Sequence, residues 1–160
     1  MMIKYVGLIL GGMLFFNACT GQPKKEESAF IVLKTASMKY ADMGFVKSSS
    51  SKVEVEMYAA GQPLVSIEIN AVNVCMSIFE CMEKHDFNTK VLHVSYPDTL
   101  LENIFRSKPI FNGEHLEKTT DGFTQKIQKK GLYDITYSVV SGERKFRDTI
   151  NKILIKVREQ

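Results

Sequence analysis

Two segments near the middle of the chain alternate strictly between apolar and polar residues. KVEVEMY at 52–58 places Val53, Val55 and Met57 on one side and glutamates on the other, and LVSIEI at 64–69 repeats the pattern. A period of two residues predicts a β-strand with one buried face. The intervening AAGQP is typical of a turn, so the two strands are expected to form a hairpin.

The C-terminal third shows the same pattern. It predicts strands at Phe123–Ile127 and at 131–139, a turn at 141–143, and one further strand at 145–157. The apolar phase of that last segment slips between Ile150 and Ile153, which predicts a bulge or a change of strand partner. The short run FIVL at 30–33 predicts another strand, and SSSS at 48–51 a loop.

The segment YPDTLLENIFRS has helical rather than strand spacing. It predicts a short helix with Asp98 or Thr99 at the N-cap and Pro109 as the stop. The apolar stripe on this helix is made of Leu100, Leu101, Ile104 and Phe105. A second helical turn is considered for 77–84, and turns are expected at 112–114 and 121–122.

These elements predict a mainly β fold: a single antiparallel β-sandwich over 29–160 with one or two short helices. Gly131, Tyr133 and Ile135 resemble the tyrosine corner of immunoglobulin-like domains. That resemblance implies an Ig-like sandwich in which the Tyr133 hydroxyl hydrogen-bonds back across a corner. Ile135 stands where antibody domains have cysteine, and the chain has no tryptophan. An alternating strand with an incidental tyrosine is the alternative.

The N-terminus has the layout of a secretory signal peptide. Lys4 precedes an apolar run from Tyr5 to Phe16 that is too short to span a bilayer. Phe16, Asn17, Ala18 and Cys19 resemble the lipobox of bacterial prolipoproteins, with Phe16 and Asn17 departing from the usual residues. The resemblance implies removal of 1–18 and acylation of Cys19, including palmitate-type chains. The alternatives are a plain secreted protein or a signal anchor.

Lipidation at Cys19 would make membrane attachment effectively permanent. Thr20 follows the cysteine where Asp would resemble an inner-membrane retention signal, so the expected location is the outer membrane, on its periplasmic or surface face. Residues 19–28 are polar and predict a flexible tether. Removing 1–18 leaves 142 residues, enough for one domain. The remaining basic residues are dispersed, which argues against a nucleic-acid partner and against a surface that binds anionic membranes.

Cys75 and Cys81 lie six residues apart in CMSIFECM. With Cys19 acylated, they form an even pair in an oxidising compartment, which favours a disulfide. Such a bond requires the chain to reverse direction between them. Reduced core cysteines and a soft-metal site for Cu(I) remain alternatives. His85, His93 and His115 lack the spacing of a zinc motif, so no metal or other cofactor is predicted.

No motif of nucleophilic or phosphate chemistry occurs after residue 28. Asp98 and Glu102 could form an acid and base pair. A helix cap at Asp98 and an exposed helical position at Glu102 explain both residues without a catalytic role. The leading hypothesis is a non-enzymatic interaction or adhesion-related module that offers sheet edges, loops or the segment 98–107 to an envelope protein. Phe105, Ile110 and Phe111 are candidate anchors, but the favoured alternative is that these three residues close the end of the sandwich. The alternatives are a carrier or assembly factor for envelope lipid or polysaccharide, which predicts an apolar cleft, and copper binding.

The chain also resembles small lipoproteins of ε-proteobacterial envelopes, some with Ig-like folds, which implies an envelope interaction and no particular site residue.

Overall fold

A computed structural model describes residues 25–160. The predicted signal peptide, the lipobox and most of the tether lie outside these residues. The elements, in chain order, are β1 (Lys25–Lys34), β2 (Lys39–Ser48), β3 (Val53–Ala59), β4 (Gln62–Ile69), β5 (Asn73–Met76), β6 (Phe79–Glu83), α1 (Lys84–Val91), α2 (Leu100–Phe105), a 3₁₀ turn (Phe111–Gly113), β7 (Leu116–Thr119), β8 (Gly122–Lys129), β9 (Tyr133–Val140), β10 (Glu143–Asp148) and β11 (Ile153–Glu159).

All eleven strands belong to one antiparallel sheet, in the order β6-β5-β4-β3-β2-β1-β11-β10-β9-β8-β7. The chain meanders outward from β1 to β6 and crosses through the helical segment 84–113 to the opposite edge. It then meanders back from β7 until β11 pairs with β1. The predicted mainly β class, with antiparallel strands and two short helices, is confirmed.

The strand connections differ from those of an immunoglobulin domain, in which Greek-key connections divide the strands between two sheets. Here consecutive strands within each half are hydrogen-bonded neighbours. Short turns bring sequential antiparallel strands side by side, so every hairpin extends the same sheet. Within residues 25–160 the only long crossover is the helical segment. A continuous meander is the result.

One face of this sheet carries the core. A cross-strand row of buried residues runs through Leu33, Ile155, Phe146 and Tyr137, which are successive partners on β1, β11, β10 and β9. Eleven strands about 4.8 Å apart would span roughly 50 Å, whereas a helix is about 10 Å wide. Because the short helices alone are too narrow to cover such a face, we infer that the sheet curls around the helical segment.

The hairpin predicted from the two alternating segments is confirmed. Val55 faces Ile67 across β3 and β4, and both side chains are buried. Ala60 and Gly61 connect the strands with φ of 50° and 78°. Positive φ at both central residues gives a tight turn whose twist matches that of the strands, and glycine adopts this conformation at little cost.

The last predicted strand, 145–157, is instead two strands joined by a turn at 149–152. The Asp148 carboxylate accepts hydrogen bonds from the backbone N–H groups of Ile150 and Asn151, and Lys152 has φ of 56°. The slip in apolar phase therefore marks a chain reversal rather than a bulge. Asp148 organises this reversal through its own backbone neighbours.

Two other boundaries also differ from the sequence prediction. Strand β1 begins at Lys25, so residues 25–28 belong to the sheet rather than to the tether, and Gln160 N–H donates to the Ser28 carbonyl. The segment 77–84 contains strand β6 instead of a helical turn, and α1 begins at Lys84. Pairing with β5 determines its conformation, which overrides the weak local helical pattern.

The predicted helix at 98–107 is confirmed as α2. Its stripe of Leu100, Leu101, Ile104 and Phe105 is buried. Thr99 occupies the N-cap position, but its side chain makes no capping hydrogen bond. The helix ends at Phe105, before Pro109, because Ser107 adopts a φ of 56°.

Candidate functional site

Tyr96 joins the segment before α2 to the sheet. Its hydroxyl donates a 2.5 Å hydrogen bond to the Asp148 carboxylate. Its ring packs against Phe146, with centroids 5.9 Å apart, and against Tyr133 at 6.3 Å. Asn88 of α1 donates to the carbonyls of Tyr96 and Pro97. The loop that leads into α2 is therefore fixed on both sides.

Asp148 is the centre of this polar cluster. The residue is buried, which by itself would raise the pKa of its carboxyl group. Hydrogen bonds from Tyr96, Asn151 and the backbone N–H groups of Asp134 and Asn151 outweigh burial and lower that pKa. In contrast, burial and the bond to Asp148 raise the pKa of Tyr96. Tyr96 therefore acts as a hydrogen-bond donor rather than as a base.

A second polar cluster fixes the outer side of α2. The Glu102 carboxylate accepts from Lys84 at 2.7 Å and from Arg106 at 2.9 Å. Arg106 also donates to the carbonyl of Ser49, the residue after β2. Burial favours the protonated form of Glu102, but the two cations outweigh it and lower its pKa. Glu102 is therefore an ion-paired, half-buried residue, which corrects its prediction as an exposed position.

The segment 98–111 does not present its apolar residues to solvent. Phe105 and Ile110 are buried. Gln125 on β8 holds the backbone of Ile110, accepting from its N–H at 2.8 Å and donating to its carbonyl at 3.0 Å. Phe111 is half-buried against Tyr133, with centroids 5.3 Å apart. Phe105 and Ile110 are therefore not exposed anchors; they close the core, as the favoured alternative for these residues predicts.

Cys75 and Cys81 are joined by a disulfide, with Cα atoms 4.0 Å apart. The reversal that the bond requires is the β5–β6 hairpin. The sulfur atoms are bonded to each other, so neither is the thiolate that a soft-metal site needs. Within residues 25–160, no three histidine, cysteine, aspartate or glutamate side chains are grouped to hold a metal ion.

Each of the three histidines has a different polar neighbour. His85 Nδ1 lies 3.7 Å from an Asp98 carboxylate oxygen, and His115 Nε2 lies 3.5 Å from Glu114. His93 Nδ1 shares a 2.7 Å hydrogen bond with the Ser95 hydroxyl. These are short-range contacts in loops and at α1, so the structure brings no two histidines together into a shared site.

Tyr133 begins β9, and two more strands follow it in the chain. Its ring packs between Tyr96 and Phe111. In the described part of the chain its hydroxyl has no hydrogen bond of the kind that defines a tyrosine corner. The residue acts as an aromatic core residue of the meander, which agrees with the alternating-strand alternative.

Several buried polar residues were not predicted from the sequence. Gln125, Arg144 and Asp148 all occupy the inward phase of their strands. Arg144 pairs with Glu27 at 2.7 Å and donates to Ser107. The sequence feature that could identify such residues is a polar residue at a position of the strand where the alternation places apolar, buried residues. A polar side chain at that position needs hydrogen-bond partners inside the fold.

The carrier hypothesis predicts an apolar cleft, and the concave side of the sheet is where it would lie. That space contains the buried side chains of Leu100, Ile104, Phe105 and Ile110. Cavities within residues 25–160 lie elsewhere, among them those at the β1–β2 and β10–β11 turns, over the disulfide hairpin, and between the β4–β5 turn and α1. All three contain charged residues.

The two edges of the sheet differ in accessibility. Strand β6 packs against α1, which follows it directly. All four residues of β7, LEKT, are exposed, and among the described strands its sole partner in the sheet is β8. In an antiparallel strand, alternate residues direct their backbone N–H and C=O groups away from the partner. The β7 edge therefore presents unpaired backbone groups flanked by Leu116, Glu117 and Lys118.

Among the described residues, no helix has the length and apolar composition needed to cross a bilayer. A comparison with models of known protein families gives no match, and no curated protein matches the chain.

Proposed function

We propose that this protein is an outer-membrane-anchored lipoprotein that acts as a non-enzymatic interaction module, binding an extended segment of an envelope protein along the β7 edge. The observation that supports this proposal is that β7 is exposed and is described as paired on one side, with β8. Strand addition to such an edge supplies main-chain hydrogen bonds, while alternate side chains give specificity. The anchor in this proposal is lipid on Cys19.

The composition of β7 suits a selective edge. An apolar residue, Leu116, is 37% exposed and offers a contact for one side chain of the added strand. Glu117 and Lys118 place opposite charges next to each other, and the strand has only four residues. Short strands and charged side chains at a sheet edge oppose non-specific pairing with other chains. The edge therefore favours a partner with complementary charges over self-association.

Site-specific photocrosslinking in intact cells tests the edge. A photoreactive residue at Leu116 of the full chain is expected to give one discrete adduct, whose size identifies a protein partner. Val94, which is 52% exposed in the loop after α1, is the matched control position. The same adduct from Val94, or none from Leu116, contradicts the proposed edge.

The anchor requires a separate measurement. Growth with labelled palmitate is expected to label the wild-type protein and to leave Cys19→Ser unlabelled and released from the membrane fraction. Loss of the Leu116 adduct in Cys19→Ser would show that binding depends on tethering. An unlabelled wild-type protein would contradict lipidation without affecting the β7 test.

A further inference from the structure

An open cavity of about 620 Å³ lies where the β1–β2 turn meets the β10–β11 turn. Four of its lining residues are cationic: Lys34, Lys39, Arg147 and Lys152. All four are exposed. They come from positions far apart in the sequence, so the pairing of β1 with β11 is what gathers them.

The sheet register places three of these cations in one row. Lys39 is the direct partner of Lys34, and Lys34 is the partner of Leu154, which in turn faces Arg147. Directly opposed side chains share a face of the sheet, with Cβ atoms about 5 Å apart. Two lysines in this position repel each other, and Arg147 adds a third positive charge on the same face.

The chain does not neutralise this row. Within residues 25–160, none of the four cations has an ion pair or a side-chain hydrogen bond. Asp148 also lines the cavity, but its carboxylate is already engaged by Tyr96, Asn151 and backbone N–H groups. Nearby Asp134 accepts hydrogen bonds from Gln128 and Thr149. The cavity is therefore a concave surface with excess positive charge.

We propose that this cavity binds a phosphate-bearing anion. Lysine ammonium groups act as mobile point charges toward phosphate oxygens, and the planar guanidinium of Arg147 offers paired N–H donors. Bound phosphate would supply the negative charge that the Lys34–Lys39 pair lacks. This binding activity is independent of the β7 edge, which lies several strands away in the sheet.

Two sources of phosphate fit this chemistry: a free phosphorylated solute and the headgroup of an anionic lipid. Strand β1 has ten residues and begins at Lys25, so the cavity lies roughly 30 Å along the strand from the point where the N-terminal segment joins the fold. The cavity is therefore at the opposite end of β1 from that attachment point. Separate binding measurements distinguish the two sources.

The test uses the full chain, purified in neutral detergent at low ionic strength. Calorimetry with pyrophosphate measures binding of a soluble phosphate. Flotation uses the full chain with Cys19→Ser, because acyl chains on Cys19 would insert into any vesicle; comparing phosphatidylglycerol with phosphatidylcholine vesicles then measures binding to headgroups. Saturable binding is expected in at least one assay. Binding of pyrophosphate alone indicates a free phosphorylated solute, and binding to phosphatidylglycerol vesicles indicates a lipid headgroup.

The variants decide whether the cavity is the site. Lys34→Gln with Lys39→Gln, and separately Arg147→Gln, are expected to weaken binding at least tenfold. Lys108→Gln with Lys130→Gln removes the same charge from exposed positions elsewhere and is expected to leave binding unchanged. Absence of binding to both probes, or equal weakening by the control pair, overturns the proposal.

Discussion

Two rows of charged side chains cross the outer face of the sheet, and the chain neutralises only one of them. On β3 and β4, Glu54 directly opposes Glu68, and Lys52 bridges them at 2.9 and 3.2 Å. On β1 and β2, Lys34 directly opposes Lys39, and no described carboxylate pairs with either. Opposed like charges destabilise a sheet. The negative charges of the first row are therefore balanced within the chain, whereas the positive charges of the second row can be balanced by an external anion.

The largest expected effect comes from Asp148, which holds the turn beside the unpaired row. Asp148→Ala is expected to lower the free energy of unfolding by about 3 kcal/mol, because several hydrogen bonds to a buried carboxylate are lost. It should also weaken pyrophosphate binding by disturbing Lys152. Chemical denaturation and calorimetry measure the two effects. The exposed Asp86→Ala is the control, with a change below about 0.5 kcal/mol.

The pH dependence of this effect has a definite sign. The pKa of Asp148 is lowered in the folded protein, so its stabilising contribution is present above the unfolded pKa of about 3.9. The contribution is lost as pH falls through the folded pKa. The stability difference between wild type and Asp148→Asn should therefore shrink on acidification below about pH 4. A difference that grows toward low pH would contradict the assignment.

Removing the disulfide tests how far the half of the sheet that contains β3 to β6 depends on the bond between Cys75 and Cys81. Replacing Cys75 and Cys81 together by alanine is expected to lower stability by about 2 kcal/mol, since the bond closes a short loop. Pyrophosphate binding should be unchanged, because the cavity lies on other strands. Reduced wild type should match the double variant in a denaturation curve. Equal stability of oxidised and reduced wild type would refute the cross-link.

The sequence is most informative where one face of a strand is buried. Alternation identified β3, β4 and β9 because period two leaves little ambiguity when apolar residues stay in phase. The same rule failed at 145–157, where a turn centred on Asp148 was hidden by flanking apolar residues. Strand order is not encoded in local periodicity. The continuous meander, and hence its difference from an Ig-like sandwich, becomes visible only from the pairing of β1 with β11.

The candidate sites show the same division. A local feature such as the Cys75–Cys81 spacing was accessible, because a short reversal suffices to join the two residues. The phosphate cavity gathers Lys34 and Arg147, residues more than one hundred positions apart in the chain. No local pattern marks such a cluster. Exposure of the β7 edge likewise depends on which strand ends the sheet, which is a property of topology.

Replacing Lys52 tests whether this lysine neutralises the row formed by Glu54 and Glu68. Lys52→Gln leaves Glu54 and Glu68 directly opposed without their shared cation, and the melting temperature is expected to fall. The effect should shrink in high salt, because the groups are partly exposed. Lys118→Gln is the control for loss of one positive charge. An unchanged melting temperature in Lys52→Gln would mean that the glutamates do not need this bridge.

The smallest expected effect has the opposite sign and gives the most direct contrast between the two rows. Lys39→Gln removes one member of the unpaired Lys34–Lys39 repulsion and is expected to raise stability by about 0.3 kcal/mol in phosphate-free buffer. With saturating pyrophosphate the order should reverse, since wild type gains binding free energy that the variant largely lacks. Thermal melts of both proteins with and without pyrophosphate measure the crossing. Stabilisation that persists unchanged in pyrophosphate would mean that the two lysines repel each other without forming a site.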